Sequence, residues 1–302
     1  MKKIISFIAI VFCAFNSYAC DICGCGVGNY YIGLMPQFSK SFVGLRYQFS
    51  RFHTNIKGDA SQYSKDLFET VEVWGGLNIG TRWQVIAIIP INRINQVSDD
   101  GTLNHTGLGD VAVMGNYKLF NKVSSTKNKK LLSQTLWLGA GIKTPTGKFN
   151  VDASQTDLAA LANTQVGSGS TDFILNANYI ISINRWGFSN NVQFKINNSN
   201  RYNYNFGNKF SANSIAYYTF SKASGTITPN AGLLFTQNQS NKFNQTKVTQ
   251  TAGYVLSSAA GVEVNFKKLT VGCNVQIPLA QRFAHEQTNT KLKGMFHITF
   301  SL

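Results

Sequence analysis

Acid is what this chain has least of: 13 Asp and Glu stand against 28 Lys and Arg, a formal net charge of +15. Charged residues of both signs make only 14% of the sequence, where a soluble domain carries about 25%. That shortage argues against an ordinary water-exposed exterior. A second absence concerns length: beyond residue 19 no apolar run reaches the roughly 18 residues of a membrane-crossing helix, so any crossing must be made by strands. A third is catalytic. The four histidines, His53, His105, His285 and His297, are not spaced to pair with a nucleophile or a metal, and His285-Glu286 lacks the second histidine of a zinc helix. Gly167-Ser168-Gly169 reads as a loop rather than a nucleophile elbow. No catalytic residues are therefore assigned, and the chain is not read as an enzyme.

What is present begins with a leader. Lys2 and Lys3 form a basic start, Ile4 to Phe15 an apolar stretch, and Ser17-Tyr18-Ala19 a cleavage site, so residues 1–19 read as a signal peptide and the mature chain starts at Cys20. Ser17 stands where a lipoprotein signal wants an aliphatic residue, which counts against acylation of Cys20. A chain routed out of the cytoplasm is not expected to meet nucleic acid, despite its charge.

Hydrophobic residues make 43% of the chain, with 22 Phe and 12 Tyr, and the polar remainder is largely Asn, Ser, Thr and Gln. These alternate. Leu269, Val271, Cys273, Val275, Ile277 and Leu279 interleave with Thr270, Gly272, Asn274, Gln276 and Pro278, giving one oily and one wet face. The final residues, Met295 to Leu302, repeat the pattern and read as the strand that closes a barrel and engages the barrel-assembly machinery. Twelve such strands are expected: 41–51, 67–79, 82–95, 109–120, 132–143, 171–183, 186–197, 209–220, 226–237, 252–266, 269–281 and 291–302. The fold class is all-β, a transmembrane antiparallel up-and-down barrel of about 12 strands spanning 41–302 in the bacterial outer membrane. An even count puts both termini in the periplasm and the long connections outside. Pro90 within 82–95 predicts a bulge or kink. Residues 20–40 form a separate Cys-rich periplasmic or plug segment, in which Tyr30 to Phe38 could form a further strand.

Several segments occur in a telling order: Thr81-Arg82-Trp83-Gln84-Val85 through Ile89-Pro90-Ile91; Gly107-Leu108-Gly109-Asp110-Val111 through Tyr117-Lys118-Leu119; Gly141-Ile142-Lys143-Thr144-Pro145-Thr146-Gly147; and Gly167-Ser168-Gly169-Ser170-Thr171-Asp172. With Asn205-Phe206-Gly207 and Gln276-Ile277-Pro278-Leu279 they resemble the meta-pathway phenol-degradation outer-membrane family of bacterial β-barrel transporters. The resemblance covers most of the mature chain and leaves out the cysteine cluster. It implies a barrel passing small, often hydrophobic molecules, and brings no catalytic residues with it.

Two groups of residues are candidate sites. Cys20, Cys23 and Cys25 lie within six residues among glycines, a density suited to Cu or Zn; a disulfide between two of them is the competing reading. Arg46, Asp110, Asp172, Lys195 and Glu263 fall on the inward parity of their strands, since their neighbours belong to the apolar outer set and a lipid-facing Arg or Lys would cost about 2–4 kcal/mol. They form either a selectivity ring for solutes or a set of cross-lumen braces. His297 is expected to hydrogen-bond a lumen carboxylate, and Cys273 to serve as a small lipid-facing side chain. Expected partners are outer-membrane lipid, lipopolysaccharide and a small-molecule solute. Three functions remain open on sequence: a passive channel for small, hydrophobic or aromatic molecules, a metal-handling protein, and a structural or adhesive barrel.

Overall fold

The computed structural model describes residues 40–55, 63–99, 101–125, 130–150 and 162–302. The leader, the three N-terminal cysteines and Tyr30 to Phe38 lie outside them. Twelve long strands follow one another: β1 (Phe42–Asn55), β2 (Tyr63–Ile79), β3 (Trp83–Ser98), β4 (Ala112–Ser125), β5 (Leu131–Lys143), β6 (Asp172–Ile183), β7 (Trp186–Ile196), β8 (Lys209–Tyr218), β9 (Gly225–Asn238), β10 (Gly253–Phe266), β11 (Leu269–Phe283) and β12 (Thr288–Ser301). Each pairs antiparallel with its sequence neighbours. β12 returns to β1, with Ser301 opposite Phe42 and His297 opposite Arg46, so the sheet closes. Closure satisfies every backbone edge, which is the condition for strands to cross a bilayer.

Side chains sort by parity as the alternation requires. Val43, Leu45, Val73, Ile89, Val275 and Ile277 are among the exposed apolar residues on the outer face. Aromatic pairs lie near the short-turn end of that face: Trp83 against Tyr117 and Trp186 against Tyr218, each at 4.8 Å between ring centres. At the far edge of the apolar belt an ion pair, exposed Arg93 to half-buried Glu69 at 3.8 Å, marks the return to water. This is a transmembrane β-barrel of outer-membrane type.

Two sequence expectations need adjusting. The stretch expected as a loop near 96–106 is strand: β3 extends to Ser98 and Gly101–Leu108 pairs back on it. Its outward residues Thr102, Asn104 and Thr106 stand above the belt and are polar, and its inward face includes His105 and Gly107, so no oily face betrays it. Pro90 introduces no register shift against β2, where it faces Glu72. It sits instead where β3 exchanges one partner for another, Gly101–Leu108 from Ile91 onward and β4 up to Ile88. Gly109 N–H donates to the Pro90 carbonyl at 2.8 Å across that junction.

Cys273 is exposed and unpaired in the middle of the β11 lipid-facing row. Cys273→Arg is expected to cost about 2–4 kcal/mol, the depth-dependent cost of an arginine near the bilayer midplane. Cys273→Val should be close to neutral. Urea titration of the barrel in lipid vesicles measures both; equal stability of the two variants would move Cys273 off the lipid face.

Candidate functional site in the barrel lumen

The inward face is divided. On one side, from β1 to β6, Phe42, Trp74, Ile86, Ile88, Met114, Trp137 and Ile174 pack into a buried apolar cluster. The cause is β3, whose residues from Val85 to Ile91 are apolar on both faces, so half of them must meet the lumen. On the other side, from β7 to β12, the inward residues are mostly Asn, Gln, Ser and Thr.

A row of ionisable groups crosses the periplasmic half. Glu263, Gly272, His297, Arg46 and Glu72 are successive partners on neighbouring strands. Arg46 donates to Glu72, with exposures of 1% and 2%, so the pair is dry. Gln48 Nε2 donates to the same carboxylate at 2.9 Å. The Arg46 guanidinium also lies 4.8 Å from the centre of Trp74, a cation–π contact that adds to its fixation. His297 Nε2 lies 2.9 and 3.0 Å from the two Glu263 oxygens, which is the expected bond to a lumen carboxylate. Gly272 sits between the last two, and a Cβ there would collide with both side chains.

A second cluster occupies the outer mouth, and the resemblance motifs converge on it. Asp110 accepts from Lys143, from Ser168 Oγ at 2.7 Å, from Ser168 N–H at 2.9 Å and from Gly147 N–H at 3.0 Å. Lys143 also reaches Asp172 at 2.8 Å, and Lys195 lies 3.7 Å from that carboxylate. Asp172 further accepts from Ser170 Oγ at 2.8 Å and from the Asn198 N–H at 3.1 Å. Gly147 and Gly167 back onto each other so closely that a Cβ at either would press into the other's backbone.

The result is a latch on the segment that joins β5 to β6. Val166 packs against the inward Phe68 and Ile94, its carbonyl accepts from Asn92 Nδ2 at 2.7 Å, and the Thr164 carbonyl meets His105 Nδ1 at 2.9 Å. Residues 162–170 therefore enter the mouth of the barrel. Above them Phe149, Ala162, Tyr204 and Phe206 form a small outer core. Tyr204–Asn205 pairs with Lys242–Phe243, tying two outer connections together.

All five charged residues chosen by parity are buried and inward: Arg46, Asp110, Asp172, Lys195 and Glu263. Asp110, Asp172 and Lys195 meet in the mouth; Arg46 and Glu263 share the periplasmic row through His297. Lys143, Lys209 and Lys293 were missed. Lys143 could have been found, since Leu138, Ala140 and Ile142 set the outward parity that leaves it inside. Among the described residues no group of three or more His, Cys, Asp or Glu could hold a metal ion. The cysteine cluster lies outside those residues.

Between the two charged layers lies a cavity of about 60 Å³, lined from β1 by Gln48 and Ser50 and from the diametrically opposed β7 by Asn191 and Gln193. A single water needs roughly 10–15 Å³ by the same measure. The lumen at this height is thus a narrow polar chamber.

Fold and lumen together define a bacterial outer-membrane β-barrel. In sequence, no known family profile and no curated protein matches the chain. In structure it is similar to an outer membrane channel from Pseudomonas putida F1, at a TM-score of 0.60 and 13% identity, over 89% of this chain and 100% of that one. The β domain of a Bordetella autotransporter follows at 0.49 and 11% identity, over 87% and 100%. The CymD monoaromatic hydrocarbon channel gives 0.39 and 9%, over 87% and 89%. At such identities the likeness is one of fold.

Proposed function

We propose that this protein is a passive outer-membrane channel for small molecules, with hydrophobic and aromatic compounds among them, as the meta-pathway resemblance implies. The observation that carries the reading is the divided lumen. A purely structural barrel of this size could fill its interior uniformly, whereas here a polar chamber persists between opposite walls, while β2 to β5 carry Trp74, Ile86, Met114 and Trp137 on another part of the inner face. The similar Pseudomonas protein is an outer membrane channel, and the proposal carries that role over. Side chains that fix the mouth and the periplasmic row set how wide the path is at rest.

Planar-bilayer recording tests it. Stepwise conductance that is interrupted when phenol is added is the expected result, since an aromatic solute occupying the path blocks the ions. Silence of the intact barrel and of a barrel with the mouth latch removed would overturn it.

A further inference from the structure

Among the described residues Lys293 is the one lumen lysine that the mouth cluster and the periplasmic row do not absorb. Lys143 and Lys195 face Asp172, Lys209 neighbours Lys195 on the ladder in the same outer cluster, and Lys118 donates to the Thr81 carbonyl at the periplasmic end. Lys293 points inward between Ser50 on β1 and Gln276 on β11, its direct ladder partners. Among the described residues no carboxylate lies within ion-pair distance of it. Its ammonium is 5.5 Å from the centre of the Phe52 ring, a contact that steadies a cation without neutralising it.

That ammonium borders the polar chamber, together with Gln48, Asn191, Gln193, Asn213 and Gln276. The chamber wall thus offers one positive charge and a ring of amides; Gln48, Asn191 and Gln276 already donate to Glu72, to the Ala177 carbonyl and to Asn274, which leaves each of them its second N–H. We infer that this chamber is an anion site, and that it takes a small carboxylate-bearing solute. An ammonium in a partly desolvated chamber favours a negative guest, and amide donors from opposite walls match the several acceptor sites of a carboxylate. The volume agrees: room for about four to six waters is room for a short organic acid and too much for a lone halide to fill. Access agrees as well. The mouth above the chamber carries Lys143, Lys195 and Lys209 against Asp110, Asp172 and Asp66, a balanced set within a chain of net charge +15. The field of that net charge raises the local concentration of anions. The inference rests on the lumen being a solute path and adds the charge of one solute class.

Binding of ¹³C-propionate to the folded barrel in detergent micelles, read by ligand NMR, tests it without requiring an open pore. Propionamide is the neutral near-isostere and chloride the inorganic control. The expected result is at least a tenfold preference for propionate over propionamide, lost in Lys293→Gln and kept in Lys293→Arg. Gln276→Leu, which leaves the charge in place, should weaken propionate severalfold, and heat-modifiable gel migration confirms that each variant is folded. Equal binding of propionate and propionamide, or an unchanged preference in Lys293→Gln, would overturn the site. So would displacement of propionate by chloride at equal concentration, since the lysine would then attract any anion. Conductance that persists while propionate fails to bind would remove this inference and leave the channel reading intact.

Discussion

Asp110→Ala is expected to free residues 162–170 from the outer mouth and to raise single-channel conductance. The carboxylate accepts from a lysine, a serine hydroxyl and two backbone N–H groups, so its loss deprives the two N–H groups of their acceptor, while Lys143 and the Ser168 hydroxyl retain the Ser170 carbonyl. Breaking a buried pair by removing one partner costs about 3–5 kcal/mol, because the remaining charge is uncompensated. Here Lys143 keeps Asp172, which Lys195 also shares, together with Ser168 Oγ and the Ser170 carbonyl, so the cost falls below that range. That penalty is local. The strands of the wall keep their ladders, so the barrel should remain folded while the segment that depends on Ser168 and Gly147 lets go. Limited proteolysis of the intact barrel, with cleavage in the β5–β6 connection as readout, separates the two levels. Protection as strong as in the parent would show that Val166 packing, rather than the ion cluster, holds the mouth. Asp110→Asn preserves an acceptor for only one of the two N–H groups, since Gly147 and Ser168 bond different oxygens, and should fall between.

How much of this was legible in the sequence varies with the physics of each element. The alternation of β11 and β12 could be read directly, because lipid on one face and water on the other impose opposite demands at every second residue. Gly101–Leu108 could not, since it rises above the belt, where its outward residues are polar, and its inward side meets the latch through His105. β3 showed the reverse ambiguity: apolar on both faces, it hid which residues enter the lumen core. Parity found Asp110 and Asp172 as inward charges, yet nothing in spacing shows that they are bridged through Lys143, because the bridge forms across strands and a loop. The motifs Gly109-Asp110, Lys143 to Gly147 and Gly167 to Asp172 looked like independent glycine-rich signatures. They are one contact seen three times. Lys293 shares the unbroken inward parity of Met295 and His297, since the register shift of this strand pair comes only after Leu292, so the parity that found the other charges also reaches it.

The second large effect separates the two readings of the lumen charges. Glu72→Gln is expected to lower barrel stability by about 3–5 kcal/mol, since Arg46 would be left charged with Trp74 and an amide as neighbours. Urea unfolding in lipid vesicles measures it. The joint variant Arg46→Met with Glu72→Leu should recover that loss, and could exceed the parent by about 1–4 kcal/mol, because apolar groups of similar volume replace two ions whose desolvation the pair only partly offsets. The surroundings favour this: Phe42 and Trp74 already provide an apolar setting at that height. If the row is a brace, the joint variant is folded, stable and unchanged in its preference between anions and cations. If it selects solutes, the same variant is stable but its reversal potential in a salt gradient shifts. The buried state of Arg46 and Glu72, at 1% and 2% exposure, argues for the brace. A charge that no passing ion can approach stabilises the wall, which is what the brace reading of this row requires.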